Sequence, residues 1–133
     1  MAVLSHRMVM RLYTGRCAPV AVNVECRYQT EDPYAVELHF PAEHPAATDW
    51  VFARELLADG LRAAAGEGDV RVEPADEAAT LITFGHIGQG FVLLEAPTGE
   101  LNEFLTRTFD RVPPGAETQL VEWPADITSL LDE

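Results

Sequence analysis

Four histidines, two cysteines, two serines and 22 carboxylates are the groups in this 133-residue chain whose types suit metal, nucleophilic or acid–base chemistry. Their spacing does not assemble any of the three. His6, His39, His44 and His86 are scattered, with no Cys-x-x-Cys and no His-Glu-x-x-His, so no metal site is expected. His39 falls on the polar side of a strand pattern, the usual place of a surface histidine. Gly85-His86-Ile87-Gly88-Gln89-Gly90 carries three glycines, but it joins two strand-like runs instead of opening a helix. It therefore reads as a hairpin connection and not as a phosphate cradle. The adjacent acids Glu31-Asp32, Asp76-Glu77 and Asp132-Glu133 fall in turns or at the end of a strongly acidic chain, where carboxylates are ordinarily solvated. Ser5 and Ser129 have no nucleophile elbow and no base near them. Cys17 lies in a turn beside Arg16, which favours a thiolate, but no histidine is implied as its partner. Cys17 and Cys26 are expected to be free thiols, with Cys26 on the apolar side of a strand acting as a small hydrophobe. No catalytic residue, cofactor or metal is expected.

The elements that would hold any site are better defined. Residues 6–13 read as a strand, with Met8, Met10 and Leu12 on one side. Val20, Val22, Val24, Cys26 and Tyr28 alternate with Ala21, Asn23, Glu25 and Arg27, the pattern of a sheet with one covered face. Pro33 sets a turn, and a third strand carries Tyr34, Val36, Leu38 and Phe40 inward. From Asp49 the period changes in mid-run. Trp50 and Phe52 alternate as in a strand and are expected in the core, whereas Leu56, Leu57 and Leu61 have helical spacing. The chain thus passes from strand 49–53 into a helix over about 54–64 with almost no loop, Gly60 acting as a weak point or cap. Its solvent side carries Arg54, Glu55, Asp59 and Arg62. Gly68-Asp69 closes a turn, Val70-Arg71-Val72 opens a strand that Pro74 stops, and strands follow at 79–85 and 91–95. The last two are apolar on both sides, which calls for cover on both faces, one from a helix and one from a second sheet or another subunit. A second helix follows Pro97, with Leu101, Phe104, Leu105, Thr108 and Phe109 as its stripe, and Pro113-Pro114-Gly115 stops it. Ile127, Leu130 and Leu131 suggest a short last helix after Pro124. The order is ββββ-α-βββ-α with a C-terminal helix: α+β, about seven antiparallel strands, one domain over residues 1–133.

Charge narrows the partners. The net charge is −13, with nine Arg and no Lys. Residues 1–30 hold Arg7, Arg11, Arg16 and Arg27 against Glu25, and the remainder holds five Arg against 21 carboxylates. Such a field repels nucleic acid and anionic lipid, and leaves the first strands as the one locally basic region. Alternating Arg and Tyr there would suit a single-stranded nucleic acid; since Tyr28 belongs to the apolar side and Arg27 to the other, packing accounts for them better. No apolar run is long enough to span a bilayer, and the first residues do not have the charged and apolar regions of a signal peptide, so a cytoplasmic protein is expected.

Several stretches resemble the SsgA-like proteins of actinobacteria, and most of all the SsgB-type members of that family. They are Asp32-Pro33-Tyr34-Ala35-Val36, Trp50-Val51-Phe52-Ala53-Arg54-Glu55-Leu56-Leu57, Gly68-Asp69-Val70-Arg71-Val72, Leu93-Leu94-Glu95-Ala96-Pro97, Phe104-Leu105-x-Arg107-Thr108 and Val112-Pro113-Pro114-Gly115. The resemblance spans nearly the whole chain. It implies a non-enzymatic regulator of sporulation-specific septation that brings the tubulin-like protein FtsZ to septum sites together with an SsgA-type paralogue. It also implies a fold like the Whirly and guide-RNA-binding scaffold, assembled as a trimer; that scaffold has eight strands, against the seven counted here. The partner or subunit contacts expected are Arg7, Arg11, Arg16 and Arg27 on the early strands, and Arg54, Glu55, Asp59 and Arg62 on the first helix.

Overall fold

The computed structural model describes residues 3–13, 18–41, 49–66, 68–85 and 91–117. Seven strands form one antiparallel sheet: β1 (Val3–Tyr13), β2 (Val20–Gln29), β3 (Ala35–His39), β4 (Trp50–Ala53), β5 (Val70–Pro74), β6 (Ala79–Gly85) and β7 (Phe91–Pro97), in the spatial order β4-β3-β2-β1-β7-β6-β5. Helix α1 (Arg54–Gly60) joins β4 to β5, and α2 (Thr98–Arg111) follows β7. Two meanders, β1 to β4 and β5 to β7, are thus joined side by side. The join is narrow: β1 pairs with β7 only through Arg11, Leu12 and Tyr13 against Glu95, Leu94 and Leu93.

Alternation decides which face is covered. Even-numbered positions of β1 and β2 (Leu4, Met8, Met10, Leu12; Val22, Val24, Cys26, Tyr28) are buried together with Val36, Leu38, Ile82, Phe84 and Leu94. Both helices add to this same core, through Leu57 of α1 and Leu101, Phe104 and Leu105 of α2. The sheet curls enough for β4 at one edge to reach β6 near the other. Trp50 stacks on Phe84 with centroids 4.5 Å apart, and Phe52 meets the same ring at 6.0 Å. The opposite face of the sheet carries no element among the described residues.

Several sequence expectations are adjusted. β1 begins at Val3, three residues before the expected start. β3 is confined to Ala35–His39, and Tyr34 is 45% exposed instead of packed inward. Helix α1 stops at Gly60, because the chain turns at once to pair Ala65 with Val72 through two backbone hydrogen bonds of 2.8 and 2.9 Å. Gly60 is not a left-handed cap. A Cβ there would lie 2.3 Å from both Cβ and Cγ1 of Val72, so glycine lets α1 seat against β5. The 42–48 part of the loop, the 86–90 connection and the proposed last helix lie outside the described residues, as do Arg16 and Cys17.

Candidate functional site

Two surfaces gather the candidate residues. The first is the open sheet face. Val3, Val9 and Val51 stand more than half exposed on it. Val9, Ala21, Ala79 and Pro97 line a shallow depression of about 470 Å³ near its centre. Arg7, Arg11 and Arg27 share this face, as their alternation predicts, yet it is not a basic patch. Arg7 and Arg27 both meet Glu25, Arg7 at 3.8 Å. Arg11 meets Glu95 at 3.8 Å, and Tyr13 donates to the same carboxylate at 3.1 Å. Farther toward the β4 edge, Gln29 donates to Glu37, and His39 bridges Glu37 at 2.7 Å and Asp49 at 2.9 Å. The Phe40 N–H and then His39 hold the Asp49 carboxyl below its usual range. The face is therefore an apolar centre among charges of both signs. The N-terminal charge count shows this only in part: Glu25, shared by Arg7 and Arg27, lies within it, whereas Glu95, the partner of Arg11, comes from β7.

The second surface is a groove of about 660 Å³ between α1 and the end of α2. Tyr34, Ala53, Ala58, Phe109 and Pro114 give it apolar walls, and Glu55, Asp59 and Arg62 edge it. Three of the stretches carrying the family resemblance converge here. Tyr28 donates to the Pro33 carbonyl at 2.9 Å, fixing the turn, and the Tyr34 carbonyl in turn accepts from the Arg54 N–H at 2.7 Å, serving the first turn of α1. Asp32 closes the same turn, its N–H donating to the Gln29 carbonyl at 3.0 Å. On the other strands, Gly68 takes a φ of +116° and the Asp69 carbonyl accepts from Gly85, placing β5 beside β6.

Arg54 was expected on the exposed side of α1, and the structure corrects this: it is 1% exposed. Its Nη1 donates to the carbonyls of Thr108 (3.2 Å) and Val112 (2.8 Å), and its Nη2 to Glu117 (2.9 Å). The guanidinium lies 4.4 Å from the Phe109 ring centroid and 5.1 Å from that of Tyr28. A cation here adds a second donor to the Thr108 carbonyl, which already accepts the Val112 N–H at 2.9 Å, supplies one to the Val112 carbonyl just past the helix, and meets the negative end of the α2 dipole. Glu117 is held below its ordinary value by backbone N–H groups and by Arg54. Burial pushes the Tyr28 hydroxyl up, with Arg54 opposing the rise. Leu57 is fully buried and Leu56 packs on the core edge.

Chemistry elsewhere is sparse. Burial, aided by Glu25, pushes the Cys26 thiol up to about 12, which leaves it protonated and inert. His6, Glu100 and Glu103 offer atoms within 4.8 Å of one another, a grouping hidden in sequence because β1 and α2 lie far apart in the chain. Metal binding through Nε2 would require a proton on Nδ1, yet Nδ1 faces the Arg107 guanidinium at 3.4 Å, donor against donor. The trio fits better as a polar clamp between strand and helix, with His6 and Glu100 3.1 Å apart.

Comparison with known proteins bears on all of this. Residues 22–117 match the family described as Streptomyces sporulation and cell division protein, SsgA. The chain is 43% identical to the sporulation-specific cell division protein SsgB of Saccharopolyspora erythraea over 92% of this chain and 88% of that one. It is 36% identical to the SsgB of Streptomyces coelicolor, over 98% and 96%. Among solved structures, the SsgA-like sporulation-specific cell division protein of Thermobifida fusca superposes with a TM-score of 0.81 at 30% identity, covering 98% of this chain and 94% of its own. A structure reported for mutations in SsgB that correlate with longitudinal cell division during sporulation of Streptomyces coelicolor gives 0.80 at 38% identity, covering 90% and 95%.

Proposed function

The chain belongs to the SsgA family of sporulation and cell-division proteins, and from that premise we propose that it is a non-enzymatic adaptor that positions septa by recruiting or organising FtsZ. The whole chain, residues 1–133, works as one domain, in the cytoplasm at septum sites, and its own assembly is a trimer. The observation that carries this reading is the open sheet face. An apolar centre flanked by arginines and carboxylates of both signs suits a subunit contact, where Arg is favoured. It would also supply the second cover that the doubly apolar strands β6 and β7 call for. Repeated copies of a weak binding surface then gain avidity on a polymer. An SsgA-type paralogue is the second partner this reading includes.

The alternative, a single-stranded nucleic-acid module on a Whirly-like scaffold, needs an unbroken basic track. Arg7, Arg11 and Arg27 each face a carboxylate, and the net charge is −13, so this reading has less support. Membrane insertion finds no support either, since no helix of the described residues is long and apolar enough to cross a bilayer.

The test is co-sedimentation with cognate FtsZ polymers, with and without GTP, paired with light scattering for the protein's own mass. Pelleting that depends on polymer, by a particle of several subunits, is expected. A stable oligomer that stays in the supernatant would remove direct FtsZ contact. A particle of 14.6 kDa would remove the oligomeric adaptor.

A further inference from the structure

The groove between α1 and the end of α2 differs in kind from the sheet face. Glu55 and Asp59 stand four positions apart on α1, on the side that edges the groove, and neither has an ion-pair partner among the described residues. Like charges at that spacing repel and weaken a helix, and a cation placed between them removes the cost. Arg54, at the floor, cannot serve: its donors are committed to Thr108, Val112 and Glu117. Arg62 is exposed and forms no ion pair with either acid. Above them Tyr34, 45% exposed, presents a ring against which an alkyl chain or a guanidinium can lie. The apolar walls at Ala53, Ala58, Phe109 and Pro114 leave space for a side chain of leucine or aromatic size.

We propose that this groove docks a short segment of a partner protein that sets an apolar side chain next to an Arg or Lys. The apolar residue enters between Ala58 and Phe109, and the cation lies between Glu55 and Asp59. Charge complementarity chooses this occupant over the chain's own 118–133 stretch, which has four acidic side chains and no cationic one. It likewise disfavours nucleic acid. The proposal rests on the adaptor reading and adds to it the chemistry of one contact.

The experiment is a titration of the isotope-labelled full chain, followed by amide NMR shifts, with three synthetic nine-residue peptides: alternating Arg and Leu, alternating Arg and Ser, and alternating Glu and Leu. The Arg–Leu peptide is expected to saturate with shifts at Tyr34, Ala58, Asp59 and Phe109, and to bind about tenfold more tightly than Arg–Ser. The Glu–Leu peptide is expected not to bind. Asp59→Arg, on the exposed side of α1, and Ala58→Trp, which fills the groove, should each weaken the Arg–Leu peptide by about tenfold; Asp59→Arg decides the matter if the tryptophan variant fails to fold. Equal binding of Arg–Leu and Arg–Ser would reduce the effect to bulk charge and overturn the proposal. So would shifts confined to the sheet face, binding unaffected by Asp59→Arg, or displacement of the Arg–Leu peptide by a synthetic 118–133 peptide. FtsZ is absent from this titration, so a failure of polymer pelleting and a failure of the groove are read separately.

Discussion

Arg54 shows what a single side chain can join. It reaches across from the start of α1 to residues 54, 58 and 63 positions further on. Replacing it with methionine keeps the volume, removes the Val112 carbonyl's side-chain donor and leaves the Glu117 carboxylate without its cation, while Thr108 keeps the Val112 N–H and Glu117 keeps the Gly115 N–H. Arg54→Met is expected to cost about 3 kcal/mol or more of unfolding free energy. Urea denaturation would check this, and a change within about 0.5 kcal/mol would mean that water replaces the guanidinium without loss. The sequence placed this arginine on a polar helix face because its partners are non-local. One signal was present: α2 runs into Val112-Pro113 without a glycine in the first position past its end, and a helix without a local cap needs a donor from elsewhere. Glu117 and Asp49 give the matching pH dependence. Both carboxyls are lower in the folded chain than when unfolded, so near the usual carboxylate range the unfolded chain binds more protons. Their stabilising effect is complete above about pH 5 and fades as pH falls through the lowered folded values. Urea midpoints measured downward from neutral pH should fall, and Glu117→Gln should flatten that fall; an unchanged slope would remove Glu117 from the account.

At the scale of elements, two glycines on helices predict opposite outcomes. Gly60→Ala drives a methyl group into Val72, whose backbone carbonyl lies 2.9 Å from the new atom, and should destabilise by about 2 kcal/mol. Gly99→Ala, in the first turn of α2, meets nothing within 4 Å and should stabilise by about 0.5 kcal/mol by restricting the unfolded chain. Chemical denaturation of the two variants in parallel checks both signs. The passage from β4 into α1 was legible because hydrophobic period changes from two to between three and four within a few residues. The role of Gly60 was not, because a turn signal and a close approach to another strand look alike in one dimension. Tyr34 misleads for a related reason: in sequence it keeps the alternation of β3, but it sits in the turn at Pro33 and is exposed.

For the whole molecule the meander order was legible from its turns, and the curl of the sheet was not, since twist accumulates strand by strand and leaves no local trace. That curl brings Trp50 to Phe84 and leaves one face bare. Strands β6 and β7 already implied a missing cover, and Leu81 and Leu93 are half-buried on that bare side. If copies of the chain supply the cover, a carboxylate at its centre should separate them. Val9→Glu is expected to lower the mass by light scattering to 14.6 kDa while the circular dichroism spectrum stays unchanged. A mass equal to that of the unaltered protein would place the subunit contact elsewhere.

The three-pair seam between β1 and β7 has a consequence for how the chain acquires its shape. Each meander closes through neighbours in sequence, whereas the seam must bring together residues about 80 positions apart. Loop-closure entropy makes that the late step. During synthesis β1 can pair with β2 long before β7 exists, so one side of its final turn of backbone waits without a neighbour. In refolding followed by pulse deuterium labelling, amides within β2 and β6 should gain protection before those amides of Arg11 to Tyr13 that face β7. Simultaneous protection would make the seam the nucleus instead. A nascent chain would in either case carry its least protected edge until α2 has nearly emerged, which marks the stretch ending at Tyr13 as the natural point of vigilance for chaperones.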